Sequence, residues 1–252
     1  MANKRIMITT PEGVAVYPHL LERDEYQFTE YGKEEFNTKL RLSPSTGLDE
    51  LLATINSNVD TAWDELTTSL PVMAEELLAK AKTEDNKTKA SKMIQDAGKL
   101  KKLTPGDIEK SYPYEEVLDE EGDATGEFIF KFKCKSAGED SKKVRWEKEL
   151  PLFDADRQKI LGSTRSSLKL WGGSGISVMA EVVTFGAVGL KLAGVSLRLQ
   201  AVQVIKPVGG DGMSADSTGF GVVEGGYVTG TNGMASYGTD ANSSEPEDDD
   251  DF

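Results

Sequence analysis

The chain has 252 residues, with 43 Asp and Glu against 29 Lys and Arg, a formal net charge of −14 at pH 7 and a hydrophobic content of 38%. That length holds one ordinary domain with appendages or at most two small ones, and the apolar content supplies a core without packing the whole chain. No apolar run of about 18 residues occurs, and the first twenty residues lack a basic start followed by an apolar stretch, so neither a membrane span nor a secretion signal is expected.

In chain order, residues 4 to 18 and 36 to 43 read as strands. In the second, Phe36, Thr38, Leu40 and Leu42 alternate with Asn37, Lys39 and Arg41, the period of two of a half-buried strand that turns Lys39 and Arg41 outward. From Leu48 the spacing changes to threes and fours through Leu51, Leu52, Ile55, Val59, Ala62, Trp63, Leu66, Leu70, Met73 and Leu77, the stripe of an amphipathic helix. Pro71 is expected to break that helix in two. A polar helix over 84 to 99 completes a helical insertion at about 48–99, and Trp63, inside the stripe, reads as packing rather than as a ligand contact. Residues 107 to 127 are acidic, carry Pro113, Gly122 and Gly126, and read as a surface connection.

Strands resume at Phe128. Over 128 to 135, Phe128, Phe130, Phe132 and Cys134 share one face and Lys131, Lys133 and Lys135 the other, so core and lysine ladder sit back to back. A turn at 138 to 141 leads to a strand at 144 to 150, and the two runs are expected to form a hairpin. Two longer strands follow, 176 to 185 and 190 to 206, joined around Gly186 and Gly189, with Gly194 as a place to turn a barrel corner. Residues 207 to 244, rich in Gly, Ser, Thr and Asp, have the composition of a flexible linker, and 245 to 252 are too acidic to fold alone and are expected to be disordered.

Charge is segregated along this order. Residues 128 to 206 hold fourteen Lys and Arg against seven Asp and Glu, whereas ten acids and no cation follow Lys206. A basic body with an acidic arm points toward nucleic acid plus a protein partner despite the negative total. The single cysteine, Cys134, excludes an intramolecular disulfide and fits a reducing cytoplasm; it reads as a core residue.

Little here suggests chemistry. One histidine, His19, removes most triads and multi-histidine metal sites, and there is no P-loop, paired cysteine or zinc-protease pattern. Gly172, Gly173, Ser174 and Gly175 lead into a strand-like run instead of a helix N-terminus, so they read as a turn and not as a phosphate cradle. The aspartates 248 to 251 lack the spacing of a calcium loop. No enzyme, metal or cofactor is expected. Binding remains, with Lys39, Arg41, Lys131, Lys133, Lys135 and Arg198 on outward strand faces as phosphate contacts and Phe185 as the first choice for stacking bases. Trp146, Trp171, Tyr17 and Tyr31 follow as further stacking candidates.

The strand from Phe130 to Cys134, the turn at Gly172 to Ser174 with the strand to Phe185, the segment Ala187 to Gly189, Val195 to Gln200, Gly226 to Val228, and an acidic end closing on Phe252 together resemble the single-stranded DNA-binding proteins of short-tailed, coliphage-type viruses. The resemblance covers 128 to 252 well and the first 45 residues loosely. It implies a mainly β fold, a five-stranded OB-fold barrel within residues 1–206, with an acidic tail at 245–252; the larger helical insertion at about 48–99 and the longer 207–244 linker are where this chain departs from that family. It also implies sequence-tolerant binding of single strands in viral DNA replication, recombination and repair, in the cytoplasm of an infected bacterial host. Phe185 falls where the family carries a stacking aromatic, and Lys131 and Lys133 fall on its basic strand. The tail residues Asp248, Asp249, Asp250, Asp251 and Phe252 would contact replication proteins such as the DNA polymerase and the primase-helicase; homodimerisation is left open. The rival reading is a non-catalytic protein-interaction module built on an OB-like barrel.

Overall fold

A computed structural model describes residues 5–21 and 34–209. In chain order the described residues form β1 (Ile6–Thr9), β2 (Gly13–His19), β3 (Glu35–Leu42), α1 (Thr46–Thr83), α2 (Lys87–Leu100), β4 (Glu109–Ser111), β5 (Tyr114–Leu118), β6 (Ala124–Lys135), β7 (Ala137–Glu139), β8 (Arg145–Glu147), β9 (Leu152–Phe153), α3 (Gly162–Ser167), β10 (Gly175–Ala187) and β11 (Leu192–Lys206). Linker and tail lie, apart from residues 207 to 209, outside the described residues.

Five strands close a ring. β2 pairs β3, β3 pairs β6, β10 pairs β11 and β10 pairs β2, all antiparallel, while β6 and β11 pair in parallel through Phe132 with Leu197 and Lys133 with Arg198. This is the five-stranded OB-type barrel the sequence predicts. β1 adds to β10, β5 to β6, and β4 and β9 to β11. Alternation decides what fills the ring: Leu40, Leu42, Phe130, Phe132, Ile176, Val178, Ala180, Leu197 and Leu199 are all essentially buried, and the intervening residues face out. Cys134 is also buried, and burial pushes its thiol pKa up, as a core cysteine requires.

The helical insertion closes one side of this core. Ser45 caps α1 by accepting the Leu48 N–H at 3.2 Å. Leu48, Leu51, Ile55 and Val59 join the barrel core, whereas Leu66, Leu70 and Ala74 form a second cluster with Ala97, Leu100, Ile108 and Ala193. α1 runs unbroken through Pro71, contrary to expectation. A proline inside a helix costs about 3 kcal/mol, but Leu66 and Leu70 before it and Ala74 after it are all buried, and two leucines alone return about that much. Trp63 is held by packing, as read: it is half-buried and its indole N–H donates to the Ile108 carbonyl at 2.8 Å. No helix among the described residues is long and apolar enough to cross a membrane.

Three other expectations change. The run 4 to 18 is two strands, parted at Pro11 and Glu12. Residues 107 to 127 are not a mere connection: β4 lies on β11, and β5 folds back on β6 because Tyr114 packs against Phe128 and Phe130, ring centroids 5.5 and 5.3 Å away, and donates its hydroxyl to Asn56 at 2.6 Å. One inward aromatic outweighs the acidic composition around it. Nor do 128 to 135 and 144 to 150 form a hairpin. β6 has a buried face over its whole second half and is paired on both edges, by β3 on one and by β5 and then β11 on the other. Residues 144 to 147 are all exposed and have no apolar face to offer the barrel, so β8 pairs only with the short β7.

Candidate nucleic-acid interface

The outward face of the ring carries the predicted cations, and register sets their order. Across β3 and β6, Lys39 stands opposite Lys131, Asn37 opposite Lys133 and Glu35 opposite Lys135, while Arg41 stands opposite Ile129. Lys133 is in turn aligned with Arg198 on β11, and Arg198 with Glu181 on β10. Alternation therefore places all six on one curved surface, as the period of two implies.

Their electrostatic states differ. Arg41 is ion-paired and hydrogen-bonded with Glu127, and Lys131 with Glu115. Each cation, by its hydrogen bond first, holds its carboxyl partner below the ordinary carboxylate range. Both acids come from the acidic stretch 107–127: β5 brings Glu115 beside β6, and Glu127 lies on β6 itself. Arg198 donates to Glu181 at 3.3 Å, as does Gln200, and Arg5 approaches the same largely buried carboxylate at 3.6 Å. Lys39 acts on Glu115 only through space, and Lys133 and Lys135 form no salt bridge with an acid among the described residues.

Only part of the predicted set meets in one place. A groove of about 790 Å³ is lined by Lys133, Lys135, Arg198 and Trp146, together with Lys148 and Glu34. Trp146 reaches it because β7 and β8 pair Gly138 with Trp146 and the indole lies against that glycine, where a Cβ would stand 2.9 Å from the ring. Arg145, next along β8, fixes this ribbon with its Nη2 donating to both carboxylate oxygens of Glu34 at 2.8 and 2.9 Å and a further contact to Glu147. The result is an exposed aromatic surface beside cations on rigid strands, a combination suited to stacking a base and holding its phosphates.

Lys39, Arg41 and Lys131 sit farther along the same surface and do not line this groove. Neither does Phe185. It stands half-buried on the outward face of β10 opposite Gly194, where β4 runs parallel beside β11; a Cβ on Gly194 would meet the Ser111 carbonyl at 2.0 Å, so glycine here admits the neighbouring strand. Lys148 and Glu181 escape sequence reasoning, Lys148 because it follows a strand too short to show a period. The exposed carboxylates of Asp119, Glu121 and Asp123 gather at the turn from β5 to β6, where Asp119 accepts the N–H groups of Glu121 and Asp123 at 3.0 and 2.8 Å and so closes the turn. Tyr31 and the tail residues 248 to 252 lie outside the described residues.

No protein-family model matches the chain, and no curated protein matches its sequence. Solved structures do. The single-stranded DNA-binding protein from bacteriophage Enc34 aligns with 85% of this chain and 90% of its own at 13% identity and a TM-score of 0.41. The crystal structure of gp2.5, a single-stranded DNA-binding protein encoded by bacteriophage T7, aligns with 85% of this chain and 98% of its own at 18% identity and a TM-score of 0.56. That second likeness shows that the chain shares the overall fold of gp2.5.

Proposed function

We propose that this protein binds single-stranded DNA without sequence preference, through the outward barrel face and the Trp146 groove. The observation that carries the reading is the convergence of Lys133, Lys135, Lys148 and Arg198 with an exposed tryptophan in one groove. The fold it shares with a protein described as binding single-stranded DNA supports the same reading. In it, the chain protects single strands during viral DNA replication, recombination and repair in the cytoplasm of an infected bacterium. Asp248 to Asp251 and Phe252 recruit replication proteins, a DNA polymerase and a primase-helicase, through basic and apolar pockets. Because those acids are tethered to a basic body, they also compete with DNA for it.

The test is a titration of a labelled oligonucleotide at several salt concentrations. Affinity should fall steeply with salt, and a duplex of equal length should compete poorly. Binding indifferent to salt, or stronger for duplex, rejects the reading. Deleting residues 240 to 252 should tighten binding in the same assay, and unchanged affinity would reject competition by the tail.

The ion pairs make a further prediction. Above the ordinary carboxylate range Glu115 and Glu127 are ionised and hold Lys131 and Arg41; as pH falls through their depressed pKa values they protonate and release both cations. Glu115→Gln/Glu127→Gln should therefore bind single strands more tightly at neutral pH. If both freed cations contact phosphates, its log–log salt slope steepens by about 1.4. The wild type should gain affinity on acidification and the double variant should gain less, as read by fluorescence anisotropy.

A further inference from the structure

A second groove, of about 530 Å³, lies at the far end of β2, between Tyr17, His19 and Leu20 on one side and Lys169, Trp171 and Gly172 on the other. Its two aromatic rings are among the most exposed large apolar groups described: Tyr17 is 76% and Trp171 58% accessible. Neither ring is needed for the core, yet each is held in place by its backbone.

Tyr17 has φ +50°, in the left-handed region that L-residues avoid. The other described non-glycine residues with positive φ, Lys143, Arg157 and Lys191, lie outside strands, whereas Tyr17 lies within one. There the pairing of β2 with β3 slips between Val16 and His19, a bulge that turns the tyrosine out of the sheet. Backbone strain spent on exposing an aromatic side chain points to a use for that side chain. Trp171 is fixed from three directions. Its N–H donates to the Val208 carbonyl at 3.0 Å, its own carbonyl accepts the Ser174 hydroxyl at 2.8 Å, and the turn it opens is tied to β2 where the Gly173 N–H donates to Ala15 at 2.9 Å.

This groove shares no lining residue with the first, but the strand register links them. His19 pairs with Asn37, Asn37 with Lys133, and Lys133 with Arg198, so a single row of outward residues runs across β2, β3, β6 and β11 from one groove to the other. Three strand spacings separate its ends, about 14 Å.

We propose that Tyr17 and Trp171 form a second base-stacking site, and that one DNA strand crosses the barrel along the His19–Asn37–Lys133–Arg198 row from the Trp146 groove to this one. The proposal rests on the single-stranded DNA reading above and adds a path and a second end to it. The occupant is a base because two exposed rings border the groove, with Lys169 beside them for a phosphate and Lys133 and Arg198 at the other end of the row.

Two measurements test it, with a thymidine oligonucleotide of about 20 nucleotides, longer than the ~4–16 that one OB-type barrel spans, and an abasic strand of equal length. Tyr17→Ala/Trp171→Ala should weaken the thymidine strand on the order of tenfold or more. It should leave the abasic strand and the salt slope unchanged, and Trp171→Phe should restore most of the loss. In Trp63→Phe/Trp146→Phe, where Trp171 is the sole indole, saturating thymidine strand should quench the emission and abasic strand should not. A wild type that binds neither strand overturns the functional reading itself. A wild type that binds the thymidine strand, with a double variant of equal or higher affinity or with Trp171 unquenched, overturns only the second site.

Discussion

Lys133→Ala/Lys135→Ala/Lys148→Ala should bind single-stranded DNA about a hundredfold more weakly than the wild type at ~0.1 M salt. Each phosphate contact on a single strand contributes about 0.7 to the salt slope, which amounts to about fivefold in affinity at that concentration, and three contacts multiply. These lysines are the right ones to remove. All three line the Trp146 groove, and none has an acidic partner among the described residues, so their loss strands no carboxylate. Arg198→Ala would be harder to read, because it withdraws a partner from the largely buried Glu181. The log–log salt slope should become shallower by about 2. Lys87→Ala/Lys89→Ala/Lys92→Ala on α2 removes the same charge from an exposed helix face and should cost little. Equal losses in both triple variants would show that net charge, and not the groove, governs binding.

How much of this was legible in the sequence follows from what each signal encodes. Period-two alternation records which face of a strand meets the core, so Phe130, Phe132 and Cys134 inside and Lys131, Lys133 and Lys135 outside are read directly. Alternation is silent about which strand lies alongside, and the errors fall there: the turn at 138–141 suggests the run 144–150 as the neighbour of β6, which instead has β3, β5 and β11. Those missing neighbours supply Glu115 beside Lys131, and with it the difference between a paired cation and an unpaired one such as Lys133. Composition misled at 107 to 127 because one aromatic, Tyr114, outweighs many solvated acids once it reaches Phe128 and Phe130. Pro71 misled for a similar reason, since local propensity is a weak term beside a buried face. The Trp146 groove depends on a glycine across a two-stranded ribbon, Gly138, whose meaning appears only once the pairing is known. Phe185, favoured by alternation and by resemblance alike, stands on the outward face but away from that groove, opposite Gly194.

The second large effect separates the two faces of β6. Phe130→Ala should destabilise the protein by about 4 kcal/mol and lower its melting temperature by about 10 °C. Phe130 is wholly inaccessible and lies 5.3 Å from the Tyr114 ring and 6.5 Å from Phe132, so truncation leaves a void in the barrel and removes two aromatic contacts. The backbone around it is pinned by β3 and β5 and has little freedom to collapse into the gap. Its neighbour Ile129 faces outward opposite Arg41 and is only half-buried, so Ile129→Ala should cost about 1 kcal/mol or less. Thermal and urea unfolding of the two variants measure this difference, and similar losses would mean that the inward and outward faces have been assigned wrongly. DNA binding should respond in the opposite sense to stability. Below its melting range Phe130→Ala keeps Lys133, Lys135 and Trp146 on the surface and should bind single strands with near wild-type affinity, whereas the triple lysine variant should melt like the wild type and lose its ligand. A Phe130→Ala protein that is folded but no longer binds would mean that the groove depends on the packing beneath it, and the strand could then not be divided into a face for stability and a face for DNA.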